Sequence, residues 1–192
     1  MGTTSGRTVV VTGGNSGIGF QIAKRFATDG AEVIIVGRDT EKGAQSEKTI
    51  RNLGASCRFV QVDLYSDEEI KKFADSLGTL DALVNNAGLG SRRVDISGDE
   101  TPKARWDAFR GANLDSTYYM TAYCLPLLRQ SGGSVVNISS TATLHGNWGL
   151  YGVAKAGVEA LTRSFAAEAA PVRVNCVSPG WITTDNTAGV SG

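Results

Sequence analysis

The chain has 192 residues, enough for one domain with a sizeable core, and its 19 basic residues balance its 19 acidic ones. No basic run exceeds Arg92-Arg93, so neither nucleic-acid nor membrane-surface binding has support. Three scattered cysteines (Cys57, Cys124, Cys176) and a single histidine, His145, exclude a disulfide framework and a metal site and predict reduced core thiols.

In chain order, apolar β-branched runs alternate with amphipathic stretches. Met1 to Arg7 lacks the apolar core of a signal peptide, and no run is long enough to span a membrane, so the expectation is a cytoplasmic protein. Strands are expected at Thr8 to Thr12, Glu32 to Val36, Arg58 to Val62, Ala82 to Val84, Ser134 to Ile138 and Arg173 to Val177. Helices are expected at Ile18 to Thr28, Thr40 to Leu53, Ser66 to about Leu77, Trp106 to about Arg129 and Tyr151 to Ala169. Ser66-Asp67-Glu68-Glu69 reads as a capping box, and Pro126 as a kink in the long helix. Gly88 to Lys103 is the one long loop. Alternation of this kind predicts a single α/β domain, a parallel sheet with helices on both faces and right-handed crossovers.

Two stretches carry chemistry. Thr12-Gly13-Gly14-Asn15-Ser16-Gly17-Ile18-Gly19 joins the first strand to the first helix. Glycines there allow a tight turn and close approach of backbone to a pyrophosphate, which the helix N-terminus would attract. Tyr151-Gly152-Val153-Ala154-Lys155 sets a phenol and an ammonium four apart, one turn from each other on a helix. A nearby ammonium favours the phenolate and lowers a pKa that is ordinarily ~10, which suits acid-base work.

Thr-Gly-x-x-x-Gly-Ile-Gly, Asn85-Asn86-Ala87-Gly88, Asn113, Ser139-Ser140, Tyr151 with Lys155, and Ser178-Pro179-Gly180 with Thr183 follow one another in the order of the short-chain dehydrogenase/reductase family, which the chain resembles from Thr8 to about Thr184. The resemblance implies a Rossmann-like, doubly wound parallel sheet. It implies that Gly13, Asn15, Ser16, Gly17, Ile18 and Gly19 cradle a nicotinamide cofactor. Asp63 and Leu64 would meet the adenine, with Asn85, Ala87 and Gly88 near the ribose and Pro179, Gly180 and Thr183 beside the nicotinamide. Tyr151 would be the general acid-base and Lys155 would depress its pKa and hold the ribose. Asn113 would support a water-linked proton path, and a serine would bind the reacting oxygen of a small carbonyl or alcohol substrate. Ser140 aligns with the family's catalytic position and is the first choice, with Ser139 the second; adjacent strand residues face opposite ways, so only one of them can point into the site.

The second strand ends in Val36-Gly37-Arg38-Asp39, with no acid to hold a ribose 2′-OH. Arg38 can pair with a 2′-phosphate, so NADP(H) is preferred, with NAD(H) as the alternative. Trp148, Leu150 and Trp181 are candidates for the substrate wall, and His145 reads as a loop residue. Phe109, Tyr118, Tyr119, Met120 and Tyr123 read as core or subunit contact, and the resemblance implies a homo-oligomer, dimer or tetramer. Family members ordinarily continue with a substrate-covering segment, a further helix and a final strand. The resemblance therefore implies that the final strand and helix are missing and that residues 185–192 form a frayed tail. Two readings follow: an NADP(H)-dependent oxidoreductase on a carbonyl/alcohol pair, or a nucleotide-binding or scaffold protein without efficient turnover.

Overall fold

The structure, a computed structural model, describes residues 4–90 and 101–184, so the proposed tail and most of the Gly88 to Lys103 loop lie outside the described residues. Six strands, β1 (Thr8–Thr12), β2 (Glu32–Gly37), β3 (Cys57–Gln61), β4 (Ala82–Asn85), β5 (Ser134–Ile138) and β6 (Arg173–Val177), form one sheet in the order β3-β2-β1-β4-β5-β6. Every neighbouring pair is parallel, with Val10 opposite Ile34 and Leu83, and Asn85 opposite Asn137. This is the Rossmann-like, doubly wound arrangement expected.

Strand side chains alternate between faces, and the two cores follow that alternation. Val9, Val11, Val33 and Ile35 pack with Ala23 and Ala27 of α1 (Gly17–Thr28) and Ile50 of α2 (Thr40–Arg51). Val10, Ile34, Val36 and Leu83 point the other way. They meet Ile70 and Phe73 of α3 (Asp67–Asp75), Met120 and Leu128 of α5 (Ser116–Ser131), and Phe165 of α6 (Gly149–Glu168). Each buried Val, Ile, Leu, Met or Phe among them contributes about 1.5–3 kcal/mol. Cys57 and Cys124 lie in these cores, where burial pushes their thiols up to about 12 and leaves them unreactive at neutral pH. Cys176, expected in the core, is instead partly exposed, because β6 is an edge strand among the described residues.

Two helix starts differ from expectation. Ser66 Oγ accepts from Glu69 N at 3.2 Å, but the Glu69 carboxylate takes Asp63 N at 2.8 Å, so only half of the capping box forms. The long helical run begins at Pro102 rather than Trp106, with Thr101 as its N-cap. Thr-Pro is a helix-start signal because proline at the first helical position loses only a donor that is unpaired anyway. The run is α4 (Pro102–Arg110), then one wide π turn (Gly111–Asp115), then α5, which continues through Pro126 and ends at left-handed Gly132.

Candidate active site

All six strands point their C-terminal ends at the same edge, and the sheet order changes direction between β1 and β4. Ligands of open α/β sheets bind in the crevice at such a point. Here it is a cleft of about 690 Å³.

At one end lies the turn from β1 into α1. Gly13 has φ +63, and a Cβ there would lie 3.0 Å from Ala87 Cα. Thr12 holds the neighbouring segment. Its Oγ1 accepts from Asn86 N and Ala87 N at 3.0 Å each, and Asn86 Nδ2 donates to Thr12 O at 3.0 Å. The caps of α2, α3 and α4 are the side chains of Asp39, Ser66 and Thr101. By contrast α1 has neither a side-chain cap bond nor an acid in its first turn, so its N-terminal amides and positive dipole end face the cleft. That arrangement, with glycine where a side chain would intrude, fits a dinucleotide pyrophosphate.

Asn15, Ser16, Gly17 and Ile18 line this part of the cleft, with Gly37, Arg38, Leu64 and Tyr65 beside them. A Cβ at Gly37 would meet the Asn15 side chain at 3.3 Å. The Arg38 guanidinium lies 5.0 Å over the Tyr65 ring. Among the described residues it makes no ion pair; Asp39 pairs with Lys42 instead, at 3.3 Å.

At the other end, Ser140, Tyr151, Lys155 and Asn113 line the same cleft with Ala87, Gly88, Pro179 and Gly180. The Ser140 side chain, whose Oγ accepts from Ala142 N at 3.1 Å, stands near enough to the Tyr151 phenol to act on its titration, while Ser139 Oγ turns away to Lys155 O at 3.1 Å. Burial raises the Tyr151 pKa, and the neighbouring Ser140 hydroxyl works against that rise. The Lys155 ammonium, expected to lower that pKa, is held by the backbone. Its Nζ donates to Ile138 O at 2.9 Å, and burial lowers its own pKa to about 8. Asn113 sits in the π turn, its Nδ2 donating to Phe109 O at 3.2 Å and its Oδ1 accepting from Leu89 N at 3.1 Å. Gly88 is where Asn113 and Lys155 converge: a Cβ there would lie 2.8 Å from Asn113 Oδ1 and 3.2 Å from Lys155 Nζ.

Four expected cofactor residues do not line the cleft. Gly19 lies behind the turn, where a Cβ would fall 2.3 Å from Asn86 Nδ2, so it serves close packing. The Asp63 carboxylate accepts from Tyr65 N at 3.1 Å and shapes the bend after β3. Asn85 is buried between strands and helices, donating to Thr121 Oγ1 and Asn137 Oδ1 at 2.9 Å each. Thr183 borders a separate, mostly apolar groove along α1. Trp148 and Trp181 do line the cleft, ring centroids 6.3 Å apart, whereas Leu150 packs with Phe109 and Ala112. His145 is exposed and outside the lining. Tyr65 and Lys42 were missed; their one available signal is proximity to the ends of β3 and β2.

The family profile described as short chain dehydrogenase matches residues 7–191. The chain belongs to the short-chain dehydrogenase family. It is 36% identical over 195 residues to the 3-oxoacyl-[acyl-carrier-protein] reductase FabG of Chlamydia pneumoniae, covering 97% of this chain and 77% of that protein. The FabG of Aquifex aeolicus is also 36% identical, over 196 residues, with 97% and 78% covered. Among solved structures, the Pseudomonas aeruginosa RhlG/NADP active-site complex superposes with a TM-score of 0.86 at 31% identity, covering 97% of this chain and 78% of that one. No helix among the described residues is long and apolar enough to cross a membrane.

Proposed function

We propose that this chain is an NADP(H)-dependent oxidoreductase that interconverts a ketone and a secondary alcohol, with Tyr151 as the proton donor and acceptor. The observation that carries the reading is the single cleft, with the uncapped α1 turn and Arg38 at one end and the Ser140–Tyr151 pair at the other. A bound nicotinamide dinucleotide supplies the hydride for reduction. The chain does the rest. Ser140 holds the substrate oxygen and stabilises the charge that develops on it. The phenol, kept protonated by burial, gives that oxygen its proton. Lys155 and Asn113 meet behind Gly88, on the path by which the proton is replaced. Arg38, braced on Tyr65, favours a cofactor bearing a 2′-phosphate. The names of the FabG relatives make 3-oxoacyl thioesters the first substrates to try.

Titration with NADPH and NADH, followed by nicotinamide fluorescence and then by NADPH oxidation on a ketone panel, tests this. NADPH should bind more tightly than NADH, and Arg38→Ala should remove that difference. Tyr151→Phe should lower turnover by roughly 100-fold or more while leaving NADPH affinity near the parent's. Affinity without turnover on any ketone would favour the binding-protein reading. Equal affinities for both cofactors would end the Arg38 assignment.

A further inference from the structure

Glu159 lies on α6, two turns beyond Tyr151 and one beyond Lys155, so the three occupy neighbouring positions along the helix. It does not line the cleft. Its Oε1 nevertheless accepts three hydroxyls, Ser139 Oγ at 3.0 Å, Ser178 Oγ at 3.0 Å and Thr143 Oγ1 at 3.1 Å. These donors come from the residue before Ser140, the turn after it, and the first residue beyond β6. Ser139 Oγ also reaches Lys155 O at 3.1 Å, and Thr143 Oγ1 reaches Ser140 O at 3.0 Å, so each proton is shared between the carboxylate and a backbone carbonyl. Backbone bonds complete the frame, Ser139 N to Val177 O at 2.8 Å and Thr141 N to Pro179 O at 3.0 Å. Burial works against the charge on Glu159, yet the Ser178, Ser139 and Thr143 hydroxyls and the Arg163 charge hold it below the usual carboxylate range. Ionised, it makes hydrogen bonds stronger than a neutral acceptor would.

We propose that the Glu159 carboxylate is a positioning residue, which fixes Ser140 from both sides and sets its hydroxyl against Tyr151 while tying the Pro179-Gly180 stretch to the same helix. One helix thereby sets the phenol, the ammonium and, through Glu159, the serine. The inference rests on the Ser140–Tyr151 reading above.

The test is an ultraviolet difference titration of the Tyr151 phenol in the ligand-free protein, each sample referenced to its own Tyr151→Phe counterpart. The Ser140 hydroxyl beside the phenol favours the phenolate, so Ser140→Ala should move the midpoint up. Glu159→Ala should do the same, and should add nothing in a Ser140→Ala background. With substrate, Glu159→Ala should lower kcat by roughly 10- to 100-fold with KM little changed, the scale of a misplaced catalytic group. Glu159→Gln, which keeps an acceptor oxygen, should recover most of both effects. Thr143→Val cuts one of the three bonds without emptying the carboxylate's site, so it should shift the midpoint the same way by less even where the Ala variant fails to fold. If Ser140→Ala moves the midpoint and neither the Glu159 nor the Thr143 variant does, the tether is overturned and the functional reading stands. If none moves it, the Ser140–Tyr151 pairing fails and the tether with it.

Discussion

Lys155 Nζ lies in the cleft lining with Ile138 O as its partner, and burial there works against its charge. Burial takes its pKa from 10.5 to about 8, so between those values the unfolded chain binds a proton that the folded chain does not. Stability must then rise as pH rises through that window, because the folded state is relieved of a buried charge which the unfolded state keeps in water. The shift amounts to a penalty on the order of 3 kcal/mol below pH 8. Lys155→Met keeps an apolar stem of similar length and removes the titration. The difference in unfolding free energy between variant and parent should therefore drift in the parent's favour from pH 8 to 10.5, with the tyrosine titrations common to both cancelling. A constant difference across that range would show that the ammonium is not desolvated. At this scale the sequence predicted the pair but not its electrostatics. A four-residue spacing brings Lys155 and Tyr151 to one side of α6, yet whether the ammonium meets the phenol depends on Ile138 O, a backbone acceptor on β5 that spacing does not reveal.

Helix ends distribute the work among the elements. Asp39, Ser66 and Thr101 cap α2, α3 and α4, whereas α1 presents to the cleft an N-terminus with no side-chain cap bond. A carboxylate at that N-terminus would stabilise the helix and repel a pyrophosphate, so stability and binding should respond in opposite directions. Ser16→Asp should raise the unfolding free energy by about 0.3–1 kcal/mol at low salt. It should also weaken NADPH binding by at least tenfold, measured by fluorescence titration against thermal unfolding of the same samples. Unchanged affinity would place the phosphates somewhere other than the α1 turn. The strand-turn-helix context of this site was legible, because β-branched runs, glycines and a 3.6-residue period are local signals. The π turn that carries Asn113 was not. Its width goes with a side chain that donates to Phe109 O one turn back and accepts from Leu89 N across the cleft segment, a balance that a residue pattern does not encode.

Across the whole molecule, the sheet order and the two cores follow from patterning, since Val9 and Val11 go to one face and Val10 to the other. What patterning misses is a polar ladder on the α5 and α6 face of the sheet. Thr121, Asn85, Asn137 and Thr162 form a buried chain of 2.9 Å bonds that links α5 to β4, β4 to β5 and β5 to α6. Asn85 was expected at the cofactor because it opens a motif whose later members, Ala87 and Gly88, do line the cleft. Only the register that sets Asn85 beside Asn137 shows that it belongs to the ladder. The two roles make different predictions. As part of the ladder, Asn85→Ala strands Asn137 Oδ1 in the interior without its donor, and an unpaired buried polar group costs about 1–3 kcal/mol. Urea unfolding should show a midpoint lowered by that amount at unchanged slope, because the surface exposed on unfolding is nearly the same. NADPH affinity, measured well below that midpoint, should stay close to the parent's. A large loss of affinity with unaltered stability would return Asn85 to the cofactor site. Loss of both together would mean that the ladder also sets the height of the Ala87-Gly88 segment in the cleft.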